Sequence, residues 1–266
     1  MSDSQIKLYY KNVLTDVIGS EHGLSKQQLD NLKEKTTPII TQLNQEKADN
    51  KTPYRNLPYN TENLKRIKDL TAELKDNCEN FVILGIGGSA LGNIALQTAL
   101  NPYTYNLDDI ARKHPRFFVF DNVDPSQLAS FIEYIQDKLD KTIFNVISKS
   151  GRTAETASQF LIISKLLLDK LGPEGYKNQV VTTTDPAQGT LRKITNEIGF
   201  RCLKVPDGVG GRFSVLSDVG LFGASMCGID IEQLLAGARD MDTRVSNTDF
   251  YKNPAAINAA INYHYY

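Results

Sequence analysis

Thr142-Ile143-Phe144-Asn145-Val146-Ile147 runs directly into Ser148-Lys149-Ser150-Gly151-Arg152-Thr153-Ala154-Glu155-Thr156. The first run is apolar, as a strand buried on both faces is. The second opens a long helix-like stretch that begins near Thr153 and carries Ala157, Phe160, Leu161, Leu167, Leu168 and Leu171. Three hydroxyls, those of Ser148, Ser150 and Thr153, thus sit where a strand feeds a helix. The unpaired amides and positive end of the helix face the same spot, a combination that makes a phosphate site from neutral donors. The competing reading is an ordinary helix cap with extra serines.

The same rhythm extends outward. Short apolar runs at 81–84, 117–120, 180–183 and 201–205 alternate with amphipathic ones. Asp124-Pro125 and Asp185-Pro186 both read as helix starts, with proline at the first helical position. Leu128, Phe131, Ile132, Ile135 and Leu139 follow the first, and Leu191, Ile194 and Ile198 the second, closed by Gly199. Apolar strands alternating with helices specify an α/β fold: a three-layer αβα sandwich around a central, mainly parallel five-stranded sheet. Helices precede it. Leu29, Leu32, Ile39, Ile40 and Leu43 form an amphipathic stretch expected to be interrupted or kinked at Pro38. Residues 44–60 read as a polar loop, and Leu64, Ile67, Leu70 and Leu74 as a helix. At the other end Asn253-Pro254 starts a helix through Ala256, Ile257, Ala260, Ile261 and Tyr263. It stops at Tyr266 with apolar surface unsatisfied, which predicts a cut through a larger protein.

Composition excludes several classes. The 266 residues carry 30 basic and 31 acidic side chains for a formal charge of -1, so no global basic field gathers nucleic acid or an anionic membrane. Cys78, Cys202 and Cys227 are few and far apart, which supports neither a disulfide framework nor a metal site and fits a reducing cytoplasm. No His pair has metal-ligand spacing. The basic run Arg112-Lys113-His114-Pro115-Arg116 reads as a solvated loop. The first residues lack a signal peptide's apolar core, and no run is long enough to span a bilayer.

Two glycine-rich clusters accompany the hydroxyl turn. Gly85-Ile86-Gly87-Gly88-Ser89-Ala90-Leu91-Gly92 follows the first apolar run and opens a helix. Gly85, Gly87 and Ala90 satisfy the dinucleotide pattern, but no acidic residue stands about 20 positions on at a strand end. Gly208-Val209-Gly210-Gly211-Arg212-Phe213-Ser214 precedes an apolar helix containing Leu216, Val219, Phe222 and Met226. A cation at that helix start opposes the dipole, so Arg212 is expected to face an anionic ligand or a carboxylate.

Together, Gly85-Ile86-Gly87-Gly88-Ser89, Ser148 to Thr156, and Gly210-Gly211-Arg212-Phe213-Ser214-Val215-Leu216-Ser217 resemble the glucose-6-phosphate isomerase (phosphoglucose isomerase) family, in order and spacing, from about residue 50 onward. The resemblance implies a sugar isomerase (SIS) fold. It divides the chain into an N-terminal helical segment and loop, 1–60, a first SIS αβα subdomain, 61–228, and the opening helices of a truncated second subdomain, 229–266. It implies that Ser148, Ser150 and Thr153 hold the phosphate with Lys149 assisting, and that Gly88, Ser89 and Gly211 contact the substrate. Arg212 would stabilise an enediolate, and Glu155 matches a glutamate near the family's catalytic histidine. The implied reaction interconverts glucose 6-phosphate and fructose 6-phosphate without metal or cofactor, in a cytoplasmic homodimer, with hexose 6-phosphate as partner and neither nucleic acid nor membrane. The family's general base, ring-opening histidine and C-terminal lysine belong to later sequence. The alternatives are a stand-alone sugar-phosphate-binding SIS module and an NAD-dependent oxidoreductase.

Overall fold

A computed structural model describes residues 6–110 and 112–266; the first five residues of the 1–60 segment lie outside the described residues. The chain divides into two compact units, one of Tyr59–Leu235 and one of Met1–Pro58 with Ala236–Tyr266.

The strands are β1 (Asn80–Leu84), β2 (Arg116–Phe120), β3 (Thr142–Ile147), β4 (Val180–Thr184) and β5 (Arg201–Lys204). They form one sheet in the order β2-β1-β3-β4-β5, and every neighbouring pair is parallel. Every residue of β1, β3 and β4 is buried, as a sheet covered on both faces requires. The helices are α1 (Thr15–Ile18), α2 (Lys26–Ala48), α3 (Thr61–Leu74), α4 (Leu91–Leu100), α5 (Pro125–Ile135), α6 (Ala154–Gln179), α7 (Thr190–Ile198), α8 (Asp218–Met226), α9 (Ile231–Val245) and α10 (Pro254–Tyr265).

Alternation along the strands builds the two outer layers. Phe81 and Ile83 of β1 join Ile67 and Leu74 of α3 and Val219, Phe222 and Met226 of α8 in one buried cluster. Val82 and Leu84 turn the other way and join Leu128 and Phe131 of α5, Phe160 and Ile163 of α6, and Leu191 of α7. All five carboxyl strand ends share one edge, where parallel sheets take their ligands.

Three sequence expectations need correction. Helix α2 is not interrupted at Pro38; it runs through to Ala48. Its apolar side, Leu29, Leu32 and Ile40, packs with Phe250, Ile257 and Ala260 of the same unit, which offsets the backbone bond that proline removes. Residues 44–60 are consequently less of a loop than expected, since a 3-10 turn occupies Pro53–Tyr59 after α2 ends. Leu139 is not on α5, which stops at Ile135. It stands on a separate 3-10 turn and is buried in the same cluster, which produces its apparent periodicity.

Asp218 at the start of α8 is fully buried. One carboxylate oxygen accepts from the Lys204 amide at 2.9 Å and pairs with the Arg66 guanidinium. Burial holds this carboxyl above the ordinary aspartate range, against the pull of the Lys204 amide and of Arg66. The cost of the buried charge is therefore felt above the raised value and is relieved as pH falls through it. Arg66→Met is expected to destabilise the fold by about 2 kcal/mol at neutral pH, below the roughly 3–5 kcal/mol of an enclosed pair, because the Arg66 side chain is 35% exposed. The loss should shrink on acidification. Urea unfolding across a pH series checks this; a loss independent of pH contradicts an ionised Asp218.

Candidate functional site

Three turns converge on the carboxyl edge of the sheet. The first leaves β1. Gly87 adopts φ +55, a conformation that favours glycine, and Gly87–Ser89 form a 3-10 turn before α4. Asn93 of α4, 2% exposed, donates to the Ser89 carbonyl at 3.1 Å and the Val219 carbonyl at 2.9 Å. It thereby ties this turn to α8. The second turn is Gly211–Phe213, braced by Ser214 Oγ donating to the Gly211 carbonyl at 2.8 Å. The two meet backbone to backbone. A Cβ on Gly88 would lie 2.3 Å from the Gly211 carbonyl carbon and 2.4 Å from its oxygen.

The third turn joins β3 to α6. Ser148 is buried, and its Oγ accepts from the Gly151 amide at 3.0 Å. Ser150 Oγ accepts from the Arg152 amide at 3.2 Å, and Thr153 Oγ1 lies 3.5 Å from Ser148 Oγ. Gly151 has φ +66, and a Cβ there would stand 2.2 Å from the Leu191 amide nitrogen. Thr153 occupies the N-cap position of α6 yet makes no side-chain capping bond. Elsewhere in the chain Ser25, Asn60, Asp124, Ser217 and Asn253 all cap their helices. The ordinary-cap reading of Thr153 thus fails on geometry, and the first amides of α6 are left without a side-chain acceptor from their own cap.

These turns enclose a cleft of about 550 Å³ lined by Gly88, Ser89, Ser148, Lys149, Ser150, Thr153 and Gly211. The sequence did not indicate its other walls: Ile86, Ile147, Arg152, Asp185, Gln188 and Gly189. Asp185 to Gly189 do not form the helix start expected of them. Asp185 Oδ1 accepts from the Ala187 amide at 2.9 Å and the Gln188 amide at 3.0 Å, closing a turn of its own. Helix α7 begins only at Thr190, after Gly189 at φ +102. The two amide bonds hold the Asp185 carboxyl below the usual aspartate range, with Lys149 and Arg192 adding to the effect.

Arg212 and Glu155 do not line the cleft. Arg212 follows Gly211, is exposed, and makes no ion pair among the described residues. The expectation that it opposes a helix dipole is corrected. The nearest helix, α8, starts six residues later behind the Ser217 cap, with Asp218 in its first turn. Glu155 is half-buried in the first turn of α6. Lys149 Nζ lies 3.9 Å from the exposed Asp207 carboxylate. The basic run is less solvated than expected: Asp109 pairs with both Arg112 and Arg116. Among the described residues no cluster of three or more His, Cys, Asp or Glu is placed to hold a metal, and no helix is long and apolar enough to cross a membrane.

The profile of the phosphoglucose isomerase family matches residues 60–266. The glucose-6-phosphate isomerase of Carboxydothermus hydrogenoformans is 41% identical over 258 residues, 96% of this chain and 55% of that protein. That of Listeria monocytogenes is 41% identical over 212 residues, 76% of this chain and 47% of that protein. This chain therefore spans about half the length of the curated relatives it matches. Among solved structures, a hypothetical protein from Thermus thermophilus superposes with a TM-score of 0.77 at 28% identity, over 90% of this chain and 55% of that one. A glucose-6-phosphate isomerase from Chlamydia trachomatis shares the fold, with a TM-score of 0.63 at 23% identity, over 76% of this chain and 37% of that one. On the family match and the identity to these relatives, the chain belongs to the phosphoglucose isomerase family.

Proposed function

We propose that this chain provides the phosphate- and sugar-binding half of an aldose–ketose isomerase that interconverts glucose 6-phosphate and fructose 6-phosphate. The observation that carries the reading is the uncapped N-terminus of α6, where Thr153 makes no capping bond and so leaves the first helical amides to a ligand. Ser148, Ser150 and Thr153 hold the phosphate with Lys149 adding its charge. Gly88, Ser89 and Gly211 face the sugar. Arg212, exposed beside Gly211, supplies the cation that stabilises an enediolate as the proton moves between C2 and C1. Glu155 stands on the same α6 turn, where it orients a neighbouring catalytic group. The family resemblance carries the further proposal of a cytoplasmic homodimer for the longer protein.

The cleft offers no carboxylate suited to taking that proton. Among the described residues Asp185 is its one acidic lining residue, held below the usual aspartate range by two amides, whereas a general base works best with a pKa near the operating pH. The proton-transfer group is therefore assigned to a part of the enzyme outside this chain's cleft.

Two outcomes follow. Fructose 6-phosphate raises the melting temperature of the 266-residue chain, and Ser148→Ala with Thr153→Ala abolishes binding in calorimetry while circular dichroism stays native. Unchanged affinity in the double variant rejects the phosphate assignment. In a coupled assay the same chain stays at background turnover, since the missing general base alone is worth roughly 10²–10⁴-fold. Isomerisation by the pure chain would show that one of its own residues moves the proton.

A further inference from the structure

The carbonyl oxygens of the phosphate turn are as informative as its donors. A dianion is repelled by carbonyl dipoles, so an anion-binding loop must point them elsewhere. Here three successive carbonyls are taken by the stretch from the last residue of β4 to the first of α7. Thr184 Oγ1 donates to the Ser148 carbonyl at 2.7 Å and lies 3.4 Å from the Lys149 carbonyl. The Asp185 amide donates to the Lys149 carbonyl at 3.4 Å, and the Thr190 amide to the Ser150 carbonyl at 3.3 Å. Gly189 closes the clamp: a Cβ there would stand 2.8 Å from the Ser150 oxygen.

Thr184 is fully buried and does not line the cleft. Its hydroxyl is given to the phosphate turn, unlike those of its neighbours on β4. Thr183 Oγ1 donates to Asn145 Oδ1 at 2.9 Å, and Thr182 Oγ1 meets Thr195 Oγ1 at 2.9 Å. We infer that Thr184 is a positioning residue for the anion site: its hydroxyl fixes the Ser148 and Lys149 carbonyls away from the cleft, so that the amides that follow them face the ligand. The inference rests on the phosphate reading proposed above. Without the hydroxyl, the Ser148 carbonyl loses its buried donor. The following peptide is then free to rotate its oxygen toward the anion.

Thr184→Val keeps the shape and removes the hydroxyl. Its affinity for inorganic phosphate and for fructose 6-phosphate should fall by the same factor, about tenfold for a lost hydrogen bond that also exposes the ligand to a carbonyl dipole. Thr184→Ser should restore both. Thr183→Val is the control for a merely structural loss: it removes the adjacent buried hydroxyl and should lower the melting temperature with affinity unchanged. In nitrogen–proton spectra, phosphate should shift the Lys149 and Ser150 amides of the wild type and of Thr184→Ser, and shift them far less in Thr184→Val. Should Thr184→Val fail to fold, Thr184→Ala removes the same hydroxyl with a smaller side chain and should weaken both ligands alike. Wild-type binding with affinity undiminished in Thr184→Val, or in Thr184→Ala when the valine variant does not fold, overturns the positioning role alone. A wild-type chain that binds neither ligand overturns the phosphate reading and this inference with it.

Discussion

The cleft depends on one steric fact: the backbones of Gly88 and Gly211 approach so closely that neither turn leaves room for a side chain on Gly88. That approach brings the end of β1 together with a turn more than a hundred residues later, and Asn93 of α4 locks it by bonding Ser89 on one side and Val219 on the other. A substitution of Gly88 would therefore act on site geometry before it acted on the core, whereas a Cβ on Gly211 would meet Gly88 only at 3.4 Å, an ordinary contact. The hydrophobic layers on the two sheet faces determine that the strands lie in order, but these polar turns determine where the cleft walls stand.

The electrostatic character of the site follows from the same economy of charge. With a net charge of -1 the chain has no broad positive field to attract an anion. What it has is local: three hydroxyls, the opening turn of helix α6, and the Lys149 and Arg152 side chains at the cleft wall. Neutral dipoles fixed in place need no reorganisation when charge arrives. They also leave Arg212 unpaired among the described residues, next to Gly211 of the cleft wall.

Much of this was legible in the sequence. The five short runs matched the strands nearly residue for residue, most directly at β1 and β3, where burial on both faces leaves little place for charged side chains. The hydroxyl turn was legible because a strand-to-helix junction fixes where its residues point. What failed was read from local rules alone. Asp185-Pro186 has the chemistry of a helix start, yet Asp185 spends its carboxylate on its own turn and helix α7 waits for Gly189. Leu139 kept the helical period while standing on a separate turn, because burial rewards the side chain's position whatever backbone delivers it. Arg212 looked like a cation forced against a helix dipole, and the dipole is six residues away behind Ser217.

The β4–α7 wall went unseen for a deeper reason. Val180-Val181-Thr182-Thr183-Thr184 reads as a β-branched strand, and threonine is common in strands for packing alone. Nothing in one sequence separates a threonine that packs from one whose hydroxyl serves a neighbouring loop. Only the parallel register does so: Ile147 lies opposite Thr183, so the strand-end residue Thr184 stands beside Ser148, where the turn into α6 begins. A parallel sheet thus couples its binding loops pairwise. Each loop leaves a strand end next to another strand end, and a hydroxyl or amide on one can orient the carbonyls of the other. In this chain such a bond runs from Thr184 of β4 to the turn that follows β3, and the proposed positioning role places control of the anion site in a strand that does not line the cleft.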